Sequence, residues 1–213
     1  MFDFNKIEDF DKHISLSIPN YDMLSAQIIT YADYFLEWGY NVYDLGCSTG
    51  RHLKLMAKKD GIDYIGYDSS NLIPKDTEYC KFIKADLHDI KLGPSSLVLS
   101  IFTLQFLHEK TREKILDEVM KSLKPGGALI VAEKTFSCDS KIQSIMDSAH
   151  REYKSQHFKP AEIFKKEIEL RDNMRPKRYH DLVRELSEIG TVQEIWRSFN
   201  FVAFIVLKSD GIK

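Results

Sequence analysis

The sequence predicts an α/β domain: a mostly parallel, seven-stranded sheet that ends in an antiparallel hairpin. Three observations predict it. Short apolar runs alternate with segments of helical period through the middle of the chain, the pattern of a parallel sheet with right-handed crossovers. One run breaks into a glycine turn, "VYDLGCSTG" at 42–50, and an amphipathic stretch follows at once. The last two runs, "VQEIWR" and "FVAFIVLK", are separated only by "SFN", which forces a hairpin.

Residues 1–39 read as a helical extension: "KIEDFDKHI", then a longer helix from Tyr21 to Trp38, entered through "SIPNY" and closed by Gly39. Residues 40–213 read as the ligand-binding domain. Its strands are "YNVYDL", "IDYIGYD", "CKFIKAD", "SLVLSIF", "ALIVAEK" and the two hairpin runs. Between them lie the helices "RHLKLMAKK" and "EKTREKILDEVMKSL", the second ended by Pro125-Gly126-Gly127. "SSNLIPKDTEY" contains Pro74 and is short, so it holds a turn or a stub of helix instead of a full crossover helix. Three helices between Asp139 and Ile189 form a late insertion.

The 213 residues suit one domain, and a net charge of −2 implies no polyanion partner, so direct nucleic-acid binding is not expected. No apolar run approaches the roughly 18 residues of a membrane span, and the acidic start is no signal peptide. Cys47, Cys80 and Cys138 lack close pairing, which points to reduced thiols in a cytoplasm. The histidines are scattered without metal-ligand spacing, and no metal site is expected.

The glycine turn poses the functional question. A dinucleotide fingerprint needs a second glycine so that the backbone can close on a pyrophosphate, and Ser48 stands there instead. Asp68 ends the second strand, 24 positions after Asp44, where a carboxylate can accept both ribose hydroxyl protons. Asp86 ends the third, within reach of an adenine amino group. Aspartates at the carboxyl ends of three consecutive strands favour a cationic nucleoside over a diphosphate. Each could also cap a turn or a helix. S-adenosyl-L-methionine, with its sulfonium and amino groups, fits best.

At this point the chain resembles the class I methyltransferase superfamily, with its Rossmann-like fold, and more closely the carboxy-S-adenosyl-methionine synthases. "FDF", "SIPNY", "VYDLGCS", "FTLQFL", "KPGGAL", "AEK" and "FNF" carry the resemblance from about Phe2 to Lys208. It implies a homodimeric enzyme that joins S-adenosylmethionine to the carbon dioxide released from prephenate, leaving phenylpyruvate and carboxy-S-adenosyl-L-methionine. The product serves tRNA wobble-uridine modification through a partner enzyme. The methyl carbon must lose a proton and meet carbon dioxide before water does, so the site has to close.

Carried over by position, the resemblance places Tyr21 near the sulfonium. Gly46, Cys47 and Ser48 line the methionine and ribose portion, Asp68 and Ser69 meet the ribose, and Asp86 and Leu87 meet the adenine. Two positions depart from the family. Ile101 stands before "FTLQFL" where asparagine is frequent, so a polar contact is replaced by packing. The place of the carboxylate-gripping arginine falls on Glu185 with Arg184 beside it, and Arg184 is expected to serve if it turns inward. Arg171, Arg175, Lys177 and Arg178 nearby could neutralise a dianion or form a solvated face. Cys47 lies near a helix start but has no recognisable base beside it. An ordinary methyltransferase acting on a small molecule, and a non-catalytic binding subunit, stay open as alternatives.

Overall fold

Strands form where β-branched and aromatic residues recur, and this computed structural model describes residues 9–209. They are β1 (Asn41–Leu45), β2 (Tyr64–Asp68), β3 (Cys80–Lys84), β4 (Ser95–Ile101), β5 (Leu123–Phe136), β6 (Lys177–Arg178), β7 (Thr191–Ser198) and β8 (Phe201–Leu207). The sheet order is β3-β2-β1-β4-β5-β8-β7, with β6 pairing β5 off this path. The first five strands are parallel, and β8 runs antiparallel to both β5 and β7. The expected sheet and terminal hairpin are both present, and the class I methyltransferase architecture follows from this order.

Alternation along each strand sends side chains to two faces. Val42, Leu97, Leu99, Ile130 and Ala203 join one buried cluster, where Leu24 and Ile28 of α2 (Tyr21–Ala32) and Leu53 of α3 (Arg51–Leu55) cover them. Tyr43, Leu45, Val98, Leu129 and Phe204 join the other, beneath α4 (Glu109–Ser122) and α7 (Tyr179–Ile189). The late insertion contains the three helices expected of it: α5 (Ser140–Ser155), α6 (Pro160–Arg171) and α7. Between β2 and β3 the chain makes turns without a helix.

Several boundaries differ from the sequence reading. "KIEDFDKHI" lies partly outside the described residues, as does "FDF"; the described helix α1 spans Phe10–Ser17, because Asp9 accepts a hydrogen bond from Lys12 N and caps it there. The helix expected to reach Trp38 stops at Ala32 and tightens into turns in which Tyr34 N donates to Tyr31 O and Phe35 N to Ala32 O. "RHLKLMAKK" is helical only to Leu55; Met56 is extended, and the Lys58 ammonium donates to Leu53 O and Met56 O, satisfying carbonyls at the helix end. The helix α4 ends at Ser122, ahead of Pro125, and β5 begins at the next residue.

Candidate active site

The cavity lies at the carboxyl edge of the parallel strands, at the switch between β1 and β4 where strand order reverses, and has a volume of about 650 Å³. Its floor is the glycine turn. Gly46 N and Cys47 N both donate to Tyr67 O, at 2.7 and 3.0 Å, folding the turn back onto β2. Gly46 has φ 78°, and a Cβ there would lie 2.2 Å from Thr103 Oγ1, so only glycine lets the β4 loop approach. Ser48 also adopts a positive φ, 50°, and its N–H donates to Asp68 Oδ2 at 2.8 Å. Asp68 Oδ1 accepts from Ser70 N at 2.7 Å. Each carboxylate oxygen keeps a further lone pair, so both remain able to accept from a ligand.

Most of the residues singled out from sequence meet on this wall. Tyr21, Gly46, Cys47, Ser48, Asp68 and Ser69 line it, as do Asp86, Leu87 and Ile101. Asp86 also caps the short 3-10 turn at Leu87–Asp89, accepting from His88 N at 2.8 Å, so the capping role and a place on the cavity wall coexist. Ile101 is buried, an apolar surface where a polar contact is absent. Tyr21 opens α2 immediately after Asn20, whose left-handed φ of 61° turns "SIPNY" into the helix. Its ring lies 6.2 Å from that of Phe102, and the Arg51 guanidinium sits 5.3 Å above it. Burial pushes the Tyr21 phenol above its ordinary range, so it stays protonated. Burial, then Asp44 and Asp68, likewise raises the Cys47 thiol, leaving no nucleophilic thiolate there.

Two expected residues stand elsewhere. Asp44 is 1 % exposed behind the glycine turn and is not part of the cavity wall. Its Oδ2 has no hydrogen-bond partner, and burial, then Asp68, raises the carboxyl to about 7. The His52 Nδ1 atom is 3.9 Å from Asp44 Oδ2, but burial lowers His52 to about 4, so near pH 7 the ring is neutral and the pair is not ionic. Arg184 corrects the sequence reading more fully. Leu182 and Leu186 turn inward on α7, which directs Arg184 outward, where its side chain is 71 % exposed and pairs with Asp181 at 2.7 Å. Glu185 does turn inward, but onto Arg112 at 2.7 Å and Lys177 at 3.0 Å, and it does not line the cavity either.

Apart from Arg51 of α3, the cations that line the cavity come from β5 and the insertion, Arg171 among them. Lys134, Arg151, Lys154 and Lys166 line the side opposite Asp68 and Asp86, together with the carboxylates of Asp147 and Glu167 and the ring of His150, which burial lowers to about 4 and so leaves neutral near pH 7. Glu167 holds Arg151 at 3.1 Å and Lys154 at 3.3 Å. The first helix closes over this end: His150 Nε2 lies 2.9 Å from Ser17 O, Lys166 Nζ contacts His13 Nε2, and Thr49 Oγ1 donates to Asp11 at 2.7 Å. Phe102, strained at φ 58°, stacks edge-on against Phe201 at 5.8 Å and completes an aromatic wall. Sequence reasoning assigned none of these lysines, although "AEK" carries Lys134; of the cations it did name, Arg171 lines the cavity and Arg175, Lys177 and Arg178 do not.

The donor set suits S-adenosylmethionine. The orphaned Asp44 Oδ2 and Ser48 Oγ, both buried, flank the turn, and the second glycine that a pyrophosphate would need is replaced by Ser48.

Comparisons with known proteins agree. A methyltransferase-domain family model matches residues 42–127. The carboxy-S-adenosyl-L-methionine synthase of Yersinia pestis is 30% identical over 98% of this chain and 84% of its own length. Among solved structures, YcgJ from Bacillus subtilis superposes with a TM-score of 0.62 at 11% identity, covering 89% of this chain and all of the other. Human N-acetylserotonin methyltransferase, solved in complex with SAM, gives 0.59 at 15% identity over 89% of this chain and 52% of its own. Those two likenesses show the fold.

Proposed function

Since this chain belongs to the carboxy-S-adenosyl-L-methionine synthase family and is an S-adenosylmethionine-dependent transferase, we propose that it converts S-adenosylmethionine and prephenate into carboxy-S-adenosyl-methionine, phenylpyruvate and water. The observation that supports this is the division of charge within one cavity: Asp68 and Asp86 at one end, Lys134, Lys154 and Lys166 at the other. A cationic nucleoside suits the first end and a dianionic acid the second.

In this reading Asp68 and Ser69 hold the ribose, Asp86 and Leu87 the adenine, and Gly46, Cys47 and Ser48 the methionine portion. Tyr21 and Ile101 pack beside the sulfonium, and the Tyr21 ring face favours positive charge. Asp44 acts from behind the turn through its field. S-adenosylmethionine supplies a methyl group acidified by the neighbouring sulfonium. The chain's own task is to hold the acid against that methyl and to keep water out, and the contacts from α1 to His150, Lys166 and Thr49 support such closure.

The same proposal extends to context. The product would feed a separate enzyme of tRNA wobble-uridine modification, and the net charge of −2 supports hand-over of a small molecule without direct RNA contact. Exposed Ile142, Ile145, Phe164 and Ile168 on α5 and α6 support a homodimer. Three free thiols support a cytoplasmic setting, and no helix of the described residues is long and apolar enough to cross a membrane.

Incubation of the protein with both substrates, followed by mass spectrometry, tests the reading. It should yield a sulfonium heavier by one carbon dioxide, together with phenylpyruvate. Absence of both refutes it, and S-adenosylhomocysteine with a methylated acceptor would identify an ordinary methyltransferase instead.

A further inference from the structure

With Arg184 turned to solvent, the grip on the acceptor must come from another cation. We propose that Lys134 holds the acceptor's carboxylate.

Three of the cations on this side of the cavity are already engaged, the His150 ring is neutral near pH 7, and Arg171 lies exposed at the end of α6. Arg151 and Lys154 pair with Glu167, Lys166 contacts His13 and Ser17, and the His150 ring meets Ser17 O. Lys134 differs. Among the described residues its ammonium has a ring contact, 5.9 Å from the Phe201 centroid, and no ion pair. Asp147 is the strongest favourable charge acting on it, with Glu167 also favourable and Lys154 and Arg151 opposing. Burial lowers its pKa, which marks an ammonium short of compensation that a ligand carboxylate would provide.

The residue is also well placed. Strand alternation sends its neighbour Glu133 to the opposite face, onto Arg112, and leaves Lys134 toward the cavity. Its backbone N–H donates to Oε1 of the buried Gln105 at 2.7 Å, and β-pairing sets it opposite Phe201. Rigid support of this kind is what a carboxylate contact needs. Around it, Phe102, Phe106, Phe136, Leu170 and Met174 give an apolar wall broad enough for a ring.

The inference rests on the proposed reaction for its choice of prephenate, so the test carries two independent arms. In the first, Lys134→Met and Lys134→Arg are assayed with S-adenosylmethionine and prephenate. The Met variant should raise KM for prephenate about 10- to 100-fold, the loss of one charged hydrogen bond, while S-adenosylmethionine affinity measured by calorimetry is retained. The Arg variant should restore most of the activity. In the second arm, phenylpyruvate binding to S-adenosylmethionine-loaded protein is measured by calorimetry without turnover. Wild type should bind and the Met variant should lose that binding; Lys134→Gln with an unchanged melting temperature guards against a folding defect. Unchanged KM, equal phenylpyruvate affinity, or no phenylpyruvate binding by wild type overturns the assignment of Lys134. Failure of wild type to turn over prephenate while it binds phenylpyruvate through Lys134 overturns only the proposed reaction.

Discussion

The Asp44→Asn substitution should stabilise the ligand-free protein above neutral pH and weaken its hold on S-adenosylmethionine. Asp44 is 1 % exposed, one carboxylate oxygen has no partner, and its nearest basic group, His52, is uncharged near pH 7. Its carboxyl sits at about 7 in the fold against an ordinary 3.8. The folded state therefore binds a proton that the unfolded state has released between those values, and stability falls as pH rises from about 4 to about 7 before levelling off. Full ionisation costs the fold up to about 4 kcal/mol. Asparagine carries no such cost, so the variant should match wild type near pH 4 and melt several degrees higher at pH 8, at roughly 2–4 °C per kcal/mol. A cationic ligand reverses the balance, because it rewards the ionised carboxylate; wild type should bind S-adenosylmethionine more tightly as pH rises through about 7, and the variant should lose that dependence. Thermal melts of both proteins from pH 4 to 8.5, with and without ligand, decide it. Melting curves that run parallel across the range would refute the account of Asp44 as an uncompensated buried charge.

Asp68→Ala should weaken S-adenosylmethionine binding by about 1–3 kcal/mol in calorimetry, through lost ligand contacts and through release of Ser48 N and Ser70 N from their acceptor. Arg112→Met should destabilise by about 3–5 kcal/mol in chemical denaturation, because Glu133 is then buried with its counter-charge removed. Arg184→Ala should change neither carboxylation nor cofactor affinity, since its partner is the exposed pair member Asp181.

How much of this was legible in the sequence depends on how local each feature is. The strands announce themselves as near-continuous apolar runs because both faces of the sheet are covered, and the three-residue "SFN" link permits only a hairpin. The end of α2 was not legible. Leu36 is buried and keeps the apolar pattern going past Ala32, while the backbone has already tightened into turns, and periodicity reports burial without reporting the hydrogen bonds beneath it. The cofactor end of the cavity was readable for a similar reason: Gly46, Ser48, Asp68 and Asp86 sit within a few residues of strand ends whose edge is fixed by topology. Asp44 shows the limit, since alternation along β1 points it beneath α2 and α3 and away from the cavity wall. The acceptor end depends on where α5 and α6 land, at a sequence distance that no local pattern encodes. An error of one helical position on α7 was enough to favour Arg184.

The cavity's two halves thus come from two parts of the chain, and that origin constrains the chemistry. Residues up to Asp86 supply the carboxylates of the cofactor end, in an arrangement that any user of S-adenosylmethionine with this fold could employ. Lys134 and the insertion supply the cations of the other end, and in the proposed reading these select what stands beside the methyl group. An amine acceptor, protonated in solution, would meet Lys134, Lys154 and Lys166 as like charges and lose affinity. A carboxylate would gain it, and a ring would add burial against Phe102 and Phe201. In the proposed reaction, selection of an anionic, ring-bearing partner would therefore rest on these lysines, and the identity of the transferred group on the insertion side of the cavity.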